Sequence, residues 1–232
     1  MNPPKPSLIE LAEDLVQRTT LPNRVYGELK RRILSGLIAP GTPLRETALC
    51  AQLKVSRTPL REALNRLGNE DLVDFRPNHG YVVAPLSAAG FRRLQDLRVI
   101  MESKVAALAA IRATEEDLHA LRAAADMPRV IAGEDRSFIE FCRANARFHL
   151  LVVRAAKNHM LENVVMSALD QYQRPAYLGI GRVEDHTKPS RCHHDLVDAV
   201  EARDPIKAEA AMCNHVIGGS ERIIRALISA GY

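Results

Sequence analysis

Four side chains in the second half of this 232-residue chain carry donor atoms where helices should bury hydrocarbon. In "SFIEFCRANARFHLLVVRAAKN" the buried face reads Phe138, Phe141, Cys142, Phe148, Val152 and Val153, and Asn145 and His149 fall in the middle of it. His193 shares a face with Leu196, Val197 and Val200 in "CHHDLVDAVEAR", whereas His194 points about 100° away. His215 joins Ala208, Ala211 and Met212 on the next helix. One core histidine is ordinarily hydrogen-bonded to some other buried group. Three of them with an amide, drawn from three helices, make a ligand set for a divalent metal, and imidazole donors suit Zn²⁺ or Ni²⁺. Cys192 and Cys213 face other directions and are set aside. No Glu, Asp or Tyr stands beside the histidines as an evident general base, which disfavours a metal-dependent enzyme. A ligandless dimerisation module with structural metal is the third reading.

A second chemistry-bearing stretch is "VSRTPLREAL". Thr58 is expected to cap a helix there, with Pro59 at the first helical position. Leu60, Ala63, Leu64 and Leu67 then form a buried stripe at helical spacing. Arg57 and Arg61 lie off that stripe, close to a helix N-terminus that is already electropositive. Two cations make poor structural sense at that end and good sense if an anion binds.

The elements that position these groups suit two modest domains. The chain is 47% hydrophobic and 26% charged, with no apolar run long enough to span a membrane. Its first 20 residues read as a mobile Pro-containing segment without a secretory leader. Four cysteines without CxxC pairing point to reduced thiols and a cytoplasmic location. Residues 22–80 hold ten Lys/Arg against six Asp/Glu, whereas residues 91–232 hold twenty against nineteen. The basic excess marks the first third as the part that meets a polyanion. There, Val25, Leu29 and Ile33 line one helix, "LIAPGTPLRE" supplies a turn and a short strand, and "ETALCAQLK" is a short helix held by Leu49 and Leu53. A tight turn joins it to the arginine-bearing helix, a helix-turn-helix. In "DLVDFRPNHGYVVAP", Val73 and Phe75 face Tyr81 and Val83 across "PNHG", a hairpin wing. His79 and Gly80 at its tip can approach a narrow groove, although "NHG" alone reads as a plain surface turn.

The stretch from "VYGELKRRILSG" to "NHGYVVAPLS", about 65 residues, resembles the winged helix-turn-helix of the GntR family of bacterial transcription regulators. The combination of "SGLIAPGTPLRE", "VSRTPLREAL" and "NHGYVV" carries the likeness. It implies that Arg57, Thr58 and Arg61 read bases and phosphates in the major groove, that His79 and Gly80 enter the minor groove, and that Arg45 adds a contact. Arginine pairs in bidentate fashion with guanine, and a helix N-terminus suits phosphate. The family commonly has Ala and Gly where Cys50 and Lys54 stand here.

From about residue 88 the sequence reads as helix after helix. In "FRRLQDLRVIMESKVAALAAIRA", Leu94, Leu97, Met101, Val105 and Leu108 form a stripe with Arg98 at its edge, where a solvated pair with Glu102 is the plain reading. Residues 90–225 resemble the all-helical ligand-binding domain of the FadR subfamily, the FCD domain, through "LRVIMESKVAALAA", "NARFHLLVVRAAKNHML" and "HDLVDAVEARDPIKAEAAMCNH". Many such domains bind a divalent metal through Asp or Asn, a His four residues on and two further histidines, which the likeness carries to Asn145, His149, His193 and His215. The neutral Asn145 in place of the commoner Asp implies a weaker site. The likeness also implies a small carboxylate effector beside the metal, helped by Arg98. The expected protein is mainly α: a winged helix-turn-helix with a hairpin wing over residues 21–86, then an antiparallel bundle of six or seven helices over 90–230. Its expected function is that of a homodimeric repressor, not an enzyme, bound to a short inverted repeat of double-stranded operator DNA.

Overall fold

The computed structural model describes residues 20–78, 80–128, 135–177 and 191–232. They form two compact units that divide between Pro85 and Leu86. The mobile start expected before residue 21 lies, but for Thr20, outside the described residues.

The first unit is built on helix α1 (Leu21–Leu34), whose Val25, Leu29 and Ile33 recur at helical spacing and are all buried. Strand β1 (Pro43–Leu44) leads into helix α2 (Glu46–Leu53), anchored by Leu49. Lys54 closes α2 in the left-handed region, at φ 55°. This is the conformation glycine adopts without steric cost, so a lysine there is strained. Helix α3 (Arg57–Asn69) follows with Leu60, Ala63, Leu64 and Leu67 wholly buried. Its start differs from the sequence expectation. Ser56 is the residue before the helix, without a side-chain cap, so Thr58 and Pro59 occupy the second and third helical positions. Proline is still tolerated there, because first-turn N–H groups have no acceptor within the helix.

Strands β2 (Val73–Arg76) and β3 (Gly80–Val83) form the expected hairpin, and β1 adds to its outer side, giving the order β1-β3-β2. Val73 pairs with Val83 and Phe75 with Tyr81, in antiparallel register. The reversal uses positive φ at Asn78 (65°) and Gly80 (73°). Glu70, past the end of α3, accepts from Tyr26 (2.5 Å) and pairs with Lys30 (2.7 Å), which ties α3 to α1.

In the second unit six helices occur among the described residues: α4 (Ala88–Arg112), α5 (Glu115–Ala124), α6 (Asp135–Ala155), α7 (His159–Tyr177), α8 (Cys192–Glu201) and α9 (Pro205–Ser229). Their starts carry local signals. Ser87 accepts from Gly90 N–H, Thr114 and Asp117 form a capping box, and Asp204 accepts from Lys207 N–H ahead of Pro205. Helices α4 and α9 pack antiparallel, with Lys104 on Glu209 (2.5 Å) and Ala88 N–H on the Tyr232 carbonyl (3.4 Å). One apolar cluster gathers Val105, Ala109, Phe148, Val152, Leu196, Val200, Met212 and Val216, and another gathers Phe91, Leu94, Ala168, Ile223 and Leu227.

Helix α4 corrects the expected stripe. Its buried face runs through Phe91, Leu94, Arg98, Glu102, Val105 and Ala109, while Leu97 is 43% exposed. Arg98 is therefore at the centre of the buried face and not at its edge. Apolar residues surround α4 on every side, so hydrophobic periodicity does not determine its rotation. The rotation that wins turns Ala106, Ala109 and Ala110 inward and admits an ion pair that neutralises itself. No helix among the described residues is long and apolar enough to cross a membrane.

Candidate functional site

The four donor residues meet between α6, α8 and α9. Asn145 and His149 lie one turn apart on α6, and both are buried. His193 is buried at the start of α8 with Phe148 edge-on at 4.5 Å between ring centres. One ligand atom from each of His149, His193 and His215 falls within 4.8 Å of the others. Asn145 Oδ1 is 3.0 Å from His193 Nε2, and His149 Nε2 is 3.0 Å from His215 Nε2. The structure thus brings together all four residues that spacing and resemblance selected.

The donor chemistry fits a divalent ion. Two imidazole nitrogens 3.0 Å apart repel through their lone pairs unless a proton or a cation lies between them. Donors bonded to one ion at about 2.0–2.1 Å sit about 3.0–3.4 Å apart, which is the spacing found. Burial, reinforced by the neighbouring His149 and His194, holds His193 down at about 3. Burial likewise takes His215 well below the ordinary imidazole value, with His149 and His193 adding to it. Both rings are therefore neutral at pH 7, as metal ligation requires.

Two residues beside the histidines were not selected from sequence. Glu102 carboxylate accepts from His149 Nδ1, while its other oxygen accepts from Arg98 Nε at 2.5 Å. Both members of that ion pair have 2% exposed side chains. Burial alone would raise the Glu102 carboxyl, but the charge of Arg98 and then the contact with His149 bring it down to about 2. A carboxylate does stand beside the histidines, contrary to expectation, yet both its oxygens are engaged. The i to i+4 pairing of Arg98 with Glu102 was legible, but its burial was not. Arg98 also lies 4.0 Å over the Tyr172 ring, and the space beside it lined by Leu97, Met101, Val164 and Ala168 has no room for a water molecule.

The second unforeseen residue is Cys192, whose sulfur is 3.0 Å from His215 Nδ1 and 3.9 Å from His193 Nδ1. It is the first residue of α8, where the side chain is aimed by the incoming chain as much as by the helix. A helical projection that turned it away from His193 misplaced it for that reason. His194 does point elsewhere, toward Asp126 at 3.1 Å.

In the first unit Arg45, Arg57, Thr58 and Arg61 are all exposed around the starts of α2 and α3. Arg61 Nε donates to Glu46 Oε2 at 2.8 Å, so the first turn of α2 steadies a side chain of α3. Gly80 sits in the wing reversal, and a Cβ there would meet nothing within 4 Å. His79 lies outside the described residues.

Comparison with known proteins agrees with this two-part organisation. The family of bacterial regulatory proteins called the gntR family matches residues 21–83, and the FCD domain matches residues 93–218. The chain is 31% identical over 200 residues to the HTH-type transcriptional repressor RspR of Escherichia coli (strain K12), covering 86% of this chain and 87% of that protein. It is 29% identical over 220 residues to the HTH-type transcriptional repressor NanR of Cronobacter sakazakii, covering 86% and 84%. Among solved structures, a GntR family member from Pseudomonas syringae pv. tomato str. DC3000 is 26% identical with a TM-score of 0.55, covering 91% of this chain and 87% of the other.

Proposed function

The chain belongs to the GntR family of bacterial regulatory proteins and carries an FCD domain, a family of transcription regulators and not of enzymes, and from that premise we propose a metal-dependent, acid-responsive repressor of the FadR subfamily. It acts as a homodimer in the cytoplasm. Each protomer lays the start of α3 in the major groove of one half of an inverted repeat, with Arg57 and Arg61 toward bases and Thr58 and Arg45 toward phosphates. The wing, with Gly80 and His79, follows the adjacent minor groove. Two such half-sites double the base contacts of one winged helix.

His149, His193 and His215 hold a divalent ion with Asn145, and Zn²⁺ or Ni²⁺ suits three imidazoles best. The observation that carries this reading is the meeting of three imidazoles from three helices, His149 and His193 buried and His215 half-buried, with one amide oxygen. A bound ion supplies Lewis acidity and open positions for carboxylate oxygens. The ligand set itself carries no negative charge, so an anion is favoured beside it.

The effector of this reading is a small organic acid. Arg98 enters as its partner once the acid displaces Glu102 from the guanidinium, because the resting ion pair is already neutral. DNA affinity then changes only as far as the acid distinguishes the two states of the dimer. The test is metal analysis of untagged protein, followed by calorimetry of a panel of organic acids on metal-loaded wild type and Arg98→Ala. About one metal per chain, and acid binding that needs both metal and Arg98, is the expected result. An acid that binds equally to metal-free protein and to the variant overturns the pocket.

A further inference from the structure

We propose that Glu102 and Cys192 are the positioning residues of the histidine cluster, turning the three Nε2 atoms inward by engaging the Nδ1 atoms from outside. The proposal rests on the reading that the histidines hold a divalent ion, and adds to it what orients the ligands.

Each ring has one nitrogen inside the cluster and one outside. The inner atoms are His149 Nε2 and His215 Nε2, 3.0 Å apart, and His193 Nε2, 3.0 Å from Asn145 Oδ1. The outer atoms all have a polar partner. His149 Nδ1 meets the Glu102 carboxylate, and the Nδ1 atoms of His215 and His193 meet the Cys192 sulfur at 3.0 and 3.9 Å. An ionised carboxylate can only accept, so the proton of a neutral His149 sits on Nδ1 and leaves Nε2 to the metal. In this state Arg98 Nε holds the second oxygen of Glu102 at 2.5 Å, and the Tyr172 ring backs Arg98 at 4.0 Å.

Cys192 acts more softly. As an acceptor, its sulfur puts the proton of His215 on Nδ1 and frees Nε2. As a donor, its S–H would stabilise the opposite tautomer, in which Nε2 carries the proton and cannot bind a metal. Metal binding selects the first arrangement. One sulfur reaching two of the three rings couples α8 and α9 at the point where their ligands converge. Outer contacts of this kind typically change metal affinity 10–100-fold.

The experiment uses the full-length protein and Zn²⁺, in competition with a chromophoric chelator, for wild type, Cys192→Ala, Cys192→Ser and Glu102→Gln. Nitrogen-15 spectra of the zinc-loaded imidazoles report the tautomers directly. Cys192→Ala is expected to weaken zinc about 10-fold or more, and Cys192→Ser, which keeps an acceptor, to recover most of the loss. Glu102→Gln is expected to weaken it further, since its amide can donate to Nδ1 and favour the wrong tautomer. If that variant fails to fold with Arg98 unpaired, the cysteine pair decides. Equal zinc affinity and equal spectra for wild type and Cys192→Ala overturn the role of Cys192, and the same result for a folded Glu102→Gln overturns that of Glu102. A wild type that binds no zinc overturns the metal reading and this proposal together, an outcome distinct from a wild type that binds and variants that bind equally.

Discussion

Asn145 Oδ1 and His193 Nε2, separated by 48 residues of chain, lie 3.0 Å apart in the buried centre of the helical unit. The amide oxygen is neutral, so the donor set formed with His149 and His215 brings no charge of its own. Replacing Asn145 by Asp adds one negative charge at that point and is expected to tighten metal binding. His149→Ala and His193→Ala are expected to lose it. Chelator competition and elemental analysis of untagged protein check both directions, and an Asn145→Asp variant with weaker binding contradicts the assignment.

Arg57 and Arg61 are expected to carry operator recognition from the exposed start of α3. Each alanine variant should lose about 1–3 kcal/mol on specific DNA if the side chain makes a bidentate base contact. Glu46→Ala releases Arg61 from its 2.8 Å partner and is expected to change specific binding less than Arg61→Ala. Fluorescence anisotropy at fixed salt measures all three.

The buried pair of Arg98 and Glu102 should be costly to split. Arg98→Met leaves a carboxylate in the interior with only His149 beside it, and about 3–5 kcal/mol of stability is expected to go. The double variant Arg98→Met, Glu102→Leu removes both charges and is expected to recover much of that loss. Urea unfolding of the three proteins tests the difference. A single variant as stable as wild type shows that the pair contributes little.

Asp117 gives a pH signature. Burial works to raise its carboxyl, but Lys157 at 2.5 Å and the Thr114 N–H and hydroxyl, both at 2.8 Å, bring it below its ordinary 3.8. With the folded value depressed, the unfolded chain takes up the proton first as pH falls. The contribution is therefore complete above about pH 5 and lost as pH drops through 3.8 and into the folded value. Asp117→Asn should cost about 0.5–2 kcal/mol at pH 7 and progressively less toward pH 3, followed by thermal unfolding across that range.

Lys54 stands in the left-handed region at φ 55°. Lys54→Gly relieves the Cβ strain, offset in part by the greater freedom of glycine in the unfolded chain. A net gain of about 0.5–1 kcal/mol is expected from thermal unfolding, with operator affinity unchanged.

What the sequence by itself determined is local. The spacing of Val25, Leu29 and Ile33, the stripe of α3, the Asn-Gly reversal of the wing and the burial of Asn145, His149 and His193 follow from helical and strand periods and from turn chemistry within a few residues. The two arginines off the α3 stripe were legible for the same reason. Tertiary structure decided what depends on rotation and on packing between distant segments. Helix α4 is apolar on every side, so only its neighbours turn Arg98 and Glu102 into the core, and only α6 brings His149 Nδ1 to Glu102. The placement of Cys192 beside His215 depends on how α8 starts against α9, across 23 positions of chain. Which nitrogen of each imidazole faces inward follows from those same packings, because a ring on a helix can present either edge until neighbours on other helices engage one of them.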